Sequence, residues 1–157
     1  SYSDKNDVNI KPIHMVAILD NINLRDTNIA IMESLSNYRK DDEIISFAPH
    51  PDDTFSYSQV DSNKIAQNIL NPKDHIIVAN NSSAILQFGR AGFNILLNDK
   101  SSFCRVISKE RLDMLPIIHK GDLCFYDMQA KNSIDIWKDF IYCSGDNCLR
   151  LILKSIA

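Results

Sequence analysis

The sequence predicts an α/β domain of Rossmann-like, doubly wound type with a mainly parallel sheet. Three observations carry the prediction. Short apolar runs alternate with segments of helical periodicity, the turns between them are brief, and His75–Ala79 is of the continuous apolar kind expected of a strand covered on both faces.

Taken in order, Ile13–Leu19 suits a buried strand and is followed by a polar turn through Asp20–Asp26. Thr27 can cap a helix in which Ile29, Ile31, Met32, Leu35 and Tyr38 recur near 3.6 spacing. Glu43–Phe47 reads as the next strand, ended by Ala48-Pro49-His50-Pro51-Asp52-Asp53, where two prolines forbid ladder and helix alike. The spacing of Ile65, Ala66, Ile69 and Leu70 predicts a helix over Asp61–Leu70, stopped by Asn71-Pro72. After the strand His75–Ala79 comes the polar turn Asn80-Asn81-Ser82-Ser83. A helix carrying Ala84, Ile85, Leu86, Phe88 and Ala91 follows, with Gly92 to end it and Phe93–Leu97 as a further strand. Right-handed crossovers would place every strand-to-helix turn of this β-α-β-α-β-α-β series on one rim. Further on, Phe103–Ile107 and Asp122–Tyr126 read as strands, and Ile134–Ile141 and Cys148–Ile156 as helices.

At 157 residues the chain fits one domain with a real core. Residues 1–10 are polar and aperiodic and read as a disordered or linker N-terminus, leaving 11–157 as the single Rossmann-like domain. A net charge of −3 provides no general basic face for nucleic acid, so any anionic ligand must be held locally. Cys104, Cys124, Cys143 and Cys148 form no C-x-x-C pair and read as buried or idle thiols, and no zinc cassette is visible, so no metal or cofactor is expected. No apolar run is long enough for a membrane span. The expected address is cytoplasmic, at most peripheral to the inner face of a membrane.

Two features carry the functional expectation. Asn80-Asn81-Ser82-Ser83 stands where a buried strand turns into a helix, so N–H groups and serine hydroxyls could hold a phosphate without a basic side chain. Asn and Ser are also the favoured N-caps, and the same residues suit plain capping. His50-Pro51 ends the preceding strand. In an open parallel sheet ligands bind outside the carboxyl ends of the strands, and a histidine there can hydrogen-bond a phosphate or act as general acid on a leaving group. The expected substrate-binding residues are therefore His50, Pro51, Asn81, Ser82 and Ser83, with His50 the candidate acid. Arg90 reads as solvent-facing, and Lys109-Glu110-Arg111 and His119-Lys120 as solvated surface.

The runs Ile44–Pro51, Ile76–Ile85 and Gly92–Leu97 together resemble the C-terminal nucleotide-binding half of GT-B glycosyltransferases. They are most similar to bacterial sialyltransferases and capsular-polysaccharide transferases, which carry a His-Pro and a Ser-Ser motif at these strand ends. The resemblance spans residues 13–97 and implies a CMP-sugar-like donor whose phosphate meets His50, Ser82 and Ser83. Charge developing on that leaving phosphate would need stabilisation as the glycosidic bond breaks. The family's acidic base motif lies in its N-terminal half, for which this chain has no room. What is implied is thus a donor-binding unit, with Asp20 and Asp26 on the expected rim but matching no base motif.

Other readings compete. Ala48–Asp53 also looks like the metal motif of zinc-dependent N-acetylglucosamine deacetylases, although no H-x-x-H pair supplies a third ligand and Thr54 replaces the family's Glu. Ala79–Gly92 can be laid over the last motif of haloacid dehalogenase-like phosphatases, with Asn80 and Ala84 in place of magnesium-binding aspartates and Ile22 in place of an acid, as in a catalytically dead relative. A non-catalytic interaction module would need an exposed apolar patch, for which Trp137, Phe140, Ile141 and Tyr142 are the candidates; helical spacing turns them toward the core instead.

Overall fold

A computed structural model describes residues 11–57, 63–138 and 140. Its seven-stranded sheet runs in the order β3-β2-β1-β4-β5-β7-β6. β1 is Ile13–Ile18, β2 Glu43–Ala48, β3 Asn63–Lys64, β4 His75–Ala79 and β5 Asn94–Asn98; β6 is Ile117–Lys120 and β7 Leu123–Met128. β1 to β5 pair in parallel, while β7 pairs antiparallel with both β5 and β6. The result is a mostly parallel Rossmann-like α/β fold. The direction of strand addition reverses at β1, with β2 on one side and β4 on the other, so a crevice opens beyond their carboxyl ends.

Two apolar layers hold the sheet. On one face α1 (Arg25–Asn37) buries Ile31, Met32 and Leu35 against Met15, Ala17, Ile45 and Phe125, together with Tyr57. On the other, α2 (Ile85–Arg90) and α4 (Ala130–Trp137) cover Val16, Ile77, Ile95 and Met128. α2 and α4 approach so closely that a Cβ on Gly89 would lie 2.1 Å from Trp137 Cδ1. Trp137 and Phe140 are buried there, as the helical spacing implied; Ile141, Tyr142 and the helix expected at Cys148–Ile156 lie outside the described residues, as do 1–10.

Several local expectations are corrected. α1 begins at Arg25, so Thr27 lies in its first turn and caps nothing; a 3-10 turn at Ile22–Leu24 leads the chain in. Between β2 and β4 there is no helix among the described residues: Asn63–Lys64 adds an edge strand, Ile65 N donates to Phe47 O at 2.8 Å, and only a 3-10 turn forms at Gln67–Ile69. Pairing with β2 there outweighs a weak helical pattern. Ser102–Arg105 is a 3-10 helix rather than a strand, started by Ser101 Oγ accepting from Phe103 N, and α3 (Lys109–Asp113) follows. α4 begins at Ala130, earlier than the expected Ile134, because Asn94 Oδ1 accepts from Ala130 N at 2.6 Å and supplies a cap from a neighbouring strand.

Lys120 departs furthest from its expected place on the surface. Its Nζ donates to Glu43 Oε1 at 2.6 Å and to Tyr38 O at 3.1 Å, with both charged side chains 4% exposed. The turn after it needs Gly121, whose φ of 64° suits the first position of a two-residue hairpin loop. Cys104 and Cys124 are free and half-buried, and Cys124 Sγ lies 3.2 Å from His119 Nδ1. Burial pushes the Cys104 thiol up to about 11, which keeps it protonated and unreactive at neutral pH. Among the described residues, no helix is long and apolar enough to cross a membrane.

Candidate functional site

The turns after β1, β2 and β4 meet at the strand-end rim, and the first thing they build is a support. Asp20, the second residue beyond β1, is 3% exposed. Its Oδ2 accepts from Asn80 Nδ2 at 2.9 Å and its Oδ1 from Asn81 N at 3.0 Å. Its backbone is clasped by Asn28 of α1, which accepts from Asp20 N and donates to Asp20 O. Burial pushes the Asp20 carboxyl above its ordinary 3.8, against the pull of hydrogen bonds from Asn80, Asn81 and Ser82 and of the nearby His50.

The far side of the turn is held from the loop after β5. Ser101 Oγ donates to Asn80 O, and Asn81 Oδ1 accepts from Ser102 N at 2.8 Å and Ser102 Oγ at 3.0 Å. Asn81, expected among the ligand-binding residues, therefore has its side-chain oxygen turned to Ser102 and its amide to Asp20. The backbone groups that the sequence offered for a phosphate are partly satisfied from within. Ala84, not a serine, is the N-cap of α2, and the Ala84 N to Ser82 Oγ contact is a long 3.4 Å.

What faces outward is a set of side chains. His50 and Pro51 from the loop after β2, Ser82 and Ser83 from the turn after β4, and Gln87 and Arg90 from α2 line one cleft of about 470 Å³. That volume falls within the range of small-ligand sites. The two loops thus share one pocket, and four of the five expected binding residues, Asn81 excepted, line it. Arg90 was not expected there; it is exposed, but it also borders the cleft, and its Nε donates to Trp137 O at 3.2 Å, which steadies the guanidinium. No helical spacing relates Arg90 to the serines, since Ser83 precedes α2, and its place at the cleft depends on how α2 lies against the rim.

His50 Nδ1 accepts from Asp52 N at 3.1 Å. In the neutral ring that leaves the proton on Nε2, so the imidazole acts as a donor through that atom. Asp26 is exposed in the first turn of α1 and does not line the cleft, and Asp20 is buried. Asp53 is also committed: Oδ1 accepts from Phe55 N at 2.9 Å, and Tyr57 OH donates to Oδ2. Among the described residues no group of three His, Cys, Asp or Glu side chains is placed to hold a metal ion.

Fold and cleft together define an α/β protein of Rossmann-like architecture with a polar, partly cationic pocket at its topological switch point. Comparison with protein-family models, with curated proteins and with solved structures found no match.

Proposed function

We propose that the chain binds a nucleotide sugar or close relative, as the donor-binding domain of a glycosyltransferase. The observation that carries this reading is the convergence of His50, Ser82, Ser83 and Arg90 on one cleft. A phosphate there accepts from two hydroxyls, from imidazole Nε2–H and from a guanidinium, a set of donors that suits an anion and offers little to a cation. The buried support made by Asp20, Asn80 and Ser101 fixes the serines before a ligand arrives, which limits the ordering cost of binding. As a leaving phosphate gains charge, the same donors stabilise it, His50 through its Nε2–H; to pass on a proton as general acid the ring would first have to take one on Nδ1 and give up the bond from Asp52 N.

A thermal-shift series with CMP, UMP, a CMP-sugar and a UDP-sugar tests the reading, because a ligand that binds only the folded state raises apparent stability by mass action. Stabilisation by a nucleotide or nucleotide sugar is expected, and Ser82→Ala with Ser83→Ala should remove most of it. An undiminished shift in that variant would put the phosphate elsewhere.

A further inference from the structure

The His-Pro loop has two sides. His50 and Pro51 border the phosphate cleft, whereas Pro49 borders a second cavity of about 400 Å³ together with Phe47, Asp53, Phe55, Tyr57 and Lys64. Its apolar wall is built from rings in edge contact, Phe47 to Tyr57 at 5.9 Å and Phe55 to Tyr57 at 5.0 Å between centroids. The Arg25 guanidinium lies 4.0 Å over the Phe55 ring and holds it in place.

The polar part of the wall is equally well ordered. Asp53 is 8% exposed, and its carboxylate is fixed by Phe55 N and by the Tyr57 hydroxyl, itself held by Asn28 Nδ2 at 3.2 Å. Each carboxylate oxygen accepts one of these bonds and has a second lone pair for another. Lys64, on the exposed edge strand, contributes an ammonium, and Thr54 a hydroxyl.

Aromatic edges beside an oriented carboxylate, an ammonium and a hydroxyl match a ligand with C–H faces and many hydroxyl groups. Its hydroxyls would donate to Asp53 and accept from Lys64, while its C–H surface rests on the rings. A second phosphate would be repelled by Asp53, and a purely apolar group would leave the carboxylate without solvent. We infer that this cavity takes a polyhydroxylated ring, the sugar portion of the ligand whose phosphate lies across the loop. The inference rests on the nucleotide-sugar reading above. Pro49, His50 and Pro51 are consecutive, with neighbouring Cα atoms ~3.8 Å apart, so one extended ligand can reach over the loop to both sides.

The test uses the whole chain and two separate probes, followed by backbone amide NMR shifts. Galactose, N-acetylglucosamine and N-acetylneuraminic acid are titrated singly, and inorganic phosphate separately. Any one of the sugars should move the amides of Asp53–Tyr57 and Lys64, with Lys64→Ala weakening that sugar about tenfold, as loss of a charge-assisted hydrogen bond predicts. If none of the three moves those amides, or if sugars move only Ser82–Ala84, the inference is overturned. Phosphate that fails to move Ser82–Ala84 would instead overturn the phosphate placement, and the sugar result would still be readable by itself.

Discussion

Asn80 Nδ2 donates to Asp20 Oδ2 at 2.9 Å, a bond between side chains 60 residues apart that ties the turn after β4 to the end of β1. With Asn81 N on the other carboxylate oxygen, the internal acid occupies a position where a bound anion would otherwise be held by backbone amides. The cleft therefore depends on side chains, and its serines on a buried carboxylate to which the Ser82 backbone itself is bonded.

The pH dependence of stability should report that carboxylate. Asp20 has a folded-state pKa above its ordinary 3.8, so the folded state holds the proton more tightly than the unfolded chain. Its contribution is fully present below 3.8 and is lost as pH rises through the folded pKa. Asp20→Asn carries no such proton, and relative to wild type it should gain stability across that window. Urea midpoints of both proteins over a pH series check this, and parallel profiles would show that Asp20 contributes no slope.

Arg90→Ala should lower nucleotide affinity by about tenfold or more, since a hydrogen bond to a charged group is worth ~1.5–3 kcal/mol. Calorimetric titration with CMP at two salt concentrations measures it. The variant should also show a weaker salt dependence than wild type, because one cation has left the site.

Gly89→Ala should destabilise by about 1–3 kcal/mol, the usual range for overpacking a filled core. The added methyl would meet Trp137 Cδ1 at 2.1 Å, with Trp137 Cβ at 2.8 Å, leaving the indole no nearby place to move. As the single tryptophan, Trp137 gives its own readout through intrinsic fluorescence during chemical unfolding.

Lys120→Met alone should cost about 3–5 kcal/mol by stranding a buried Glu43 charge. Pairing it with Glu43→Gln should recover most of the loss, since the amide oxygen can still accept from Lys40 N, now bonded to Glu43 Oε1 at 2.8 Å. Urea unfolding of the single and double variants separates the stranded charge from lost packing.

Strands and their parallel order were readable because burial on both faces forces apolar runs of the kind seen at Ile76–Ala79 and Ile95–Leu97, and little else in a sequence produces them. The break at Gly92 was equally legible, as its φ of 84° is a conformation that glycine adopts freely. The segment before Pro72 was not, for four apolar residues in ten fit a helix about as well as an extended cover, and only the free edge of β2 decides between them. Phe103 and Ile107 stand four apart, a spacing that suits a helical turn as well as the expected strand, and Ser101 ahead of them is the cap.

By itself the sequence determined the fold class, the strand-end placement of His50-Pro51 and Ser82-Ser83, and the absence of a general basic face, because each follows from local pattern or from composition. Tertiary structure alone decided that Asp20 would fill the turn from inside, that Arg90 would border the cleft, and that Lys120 would be buried against Glu43. Those outcomes join residues 60 to 77 positions apart in two of the three cases, and for Arg90 they depend on where α2 lies against the rim. Hydrogen bonds and ion pairs of that span leave no periodic trace in a chain, since their partners are chosen by the packing of the sheet and not by neighbours in sequence.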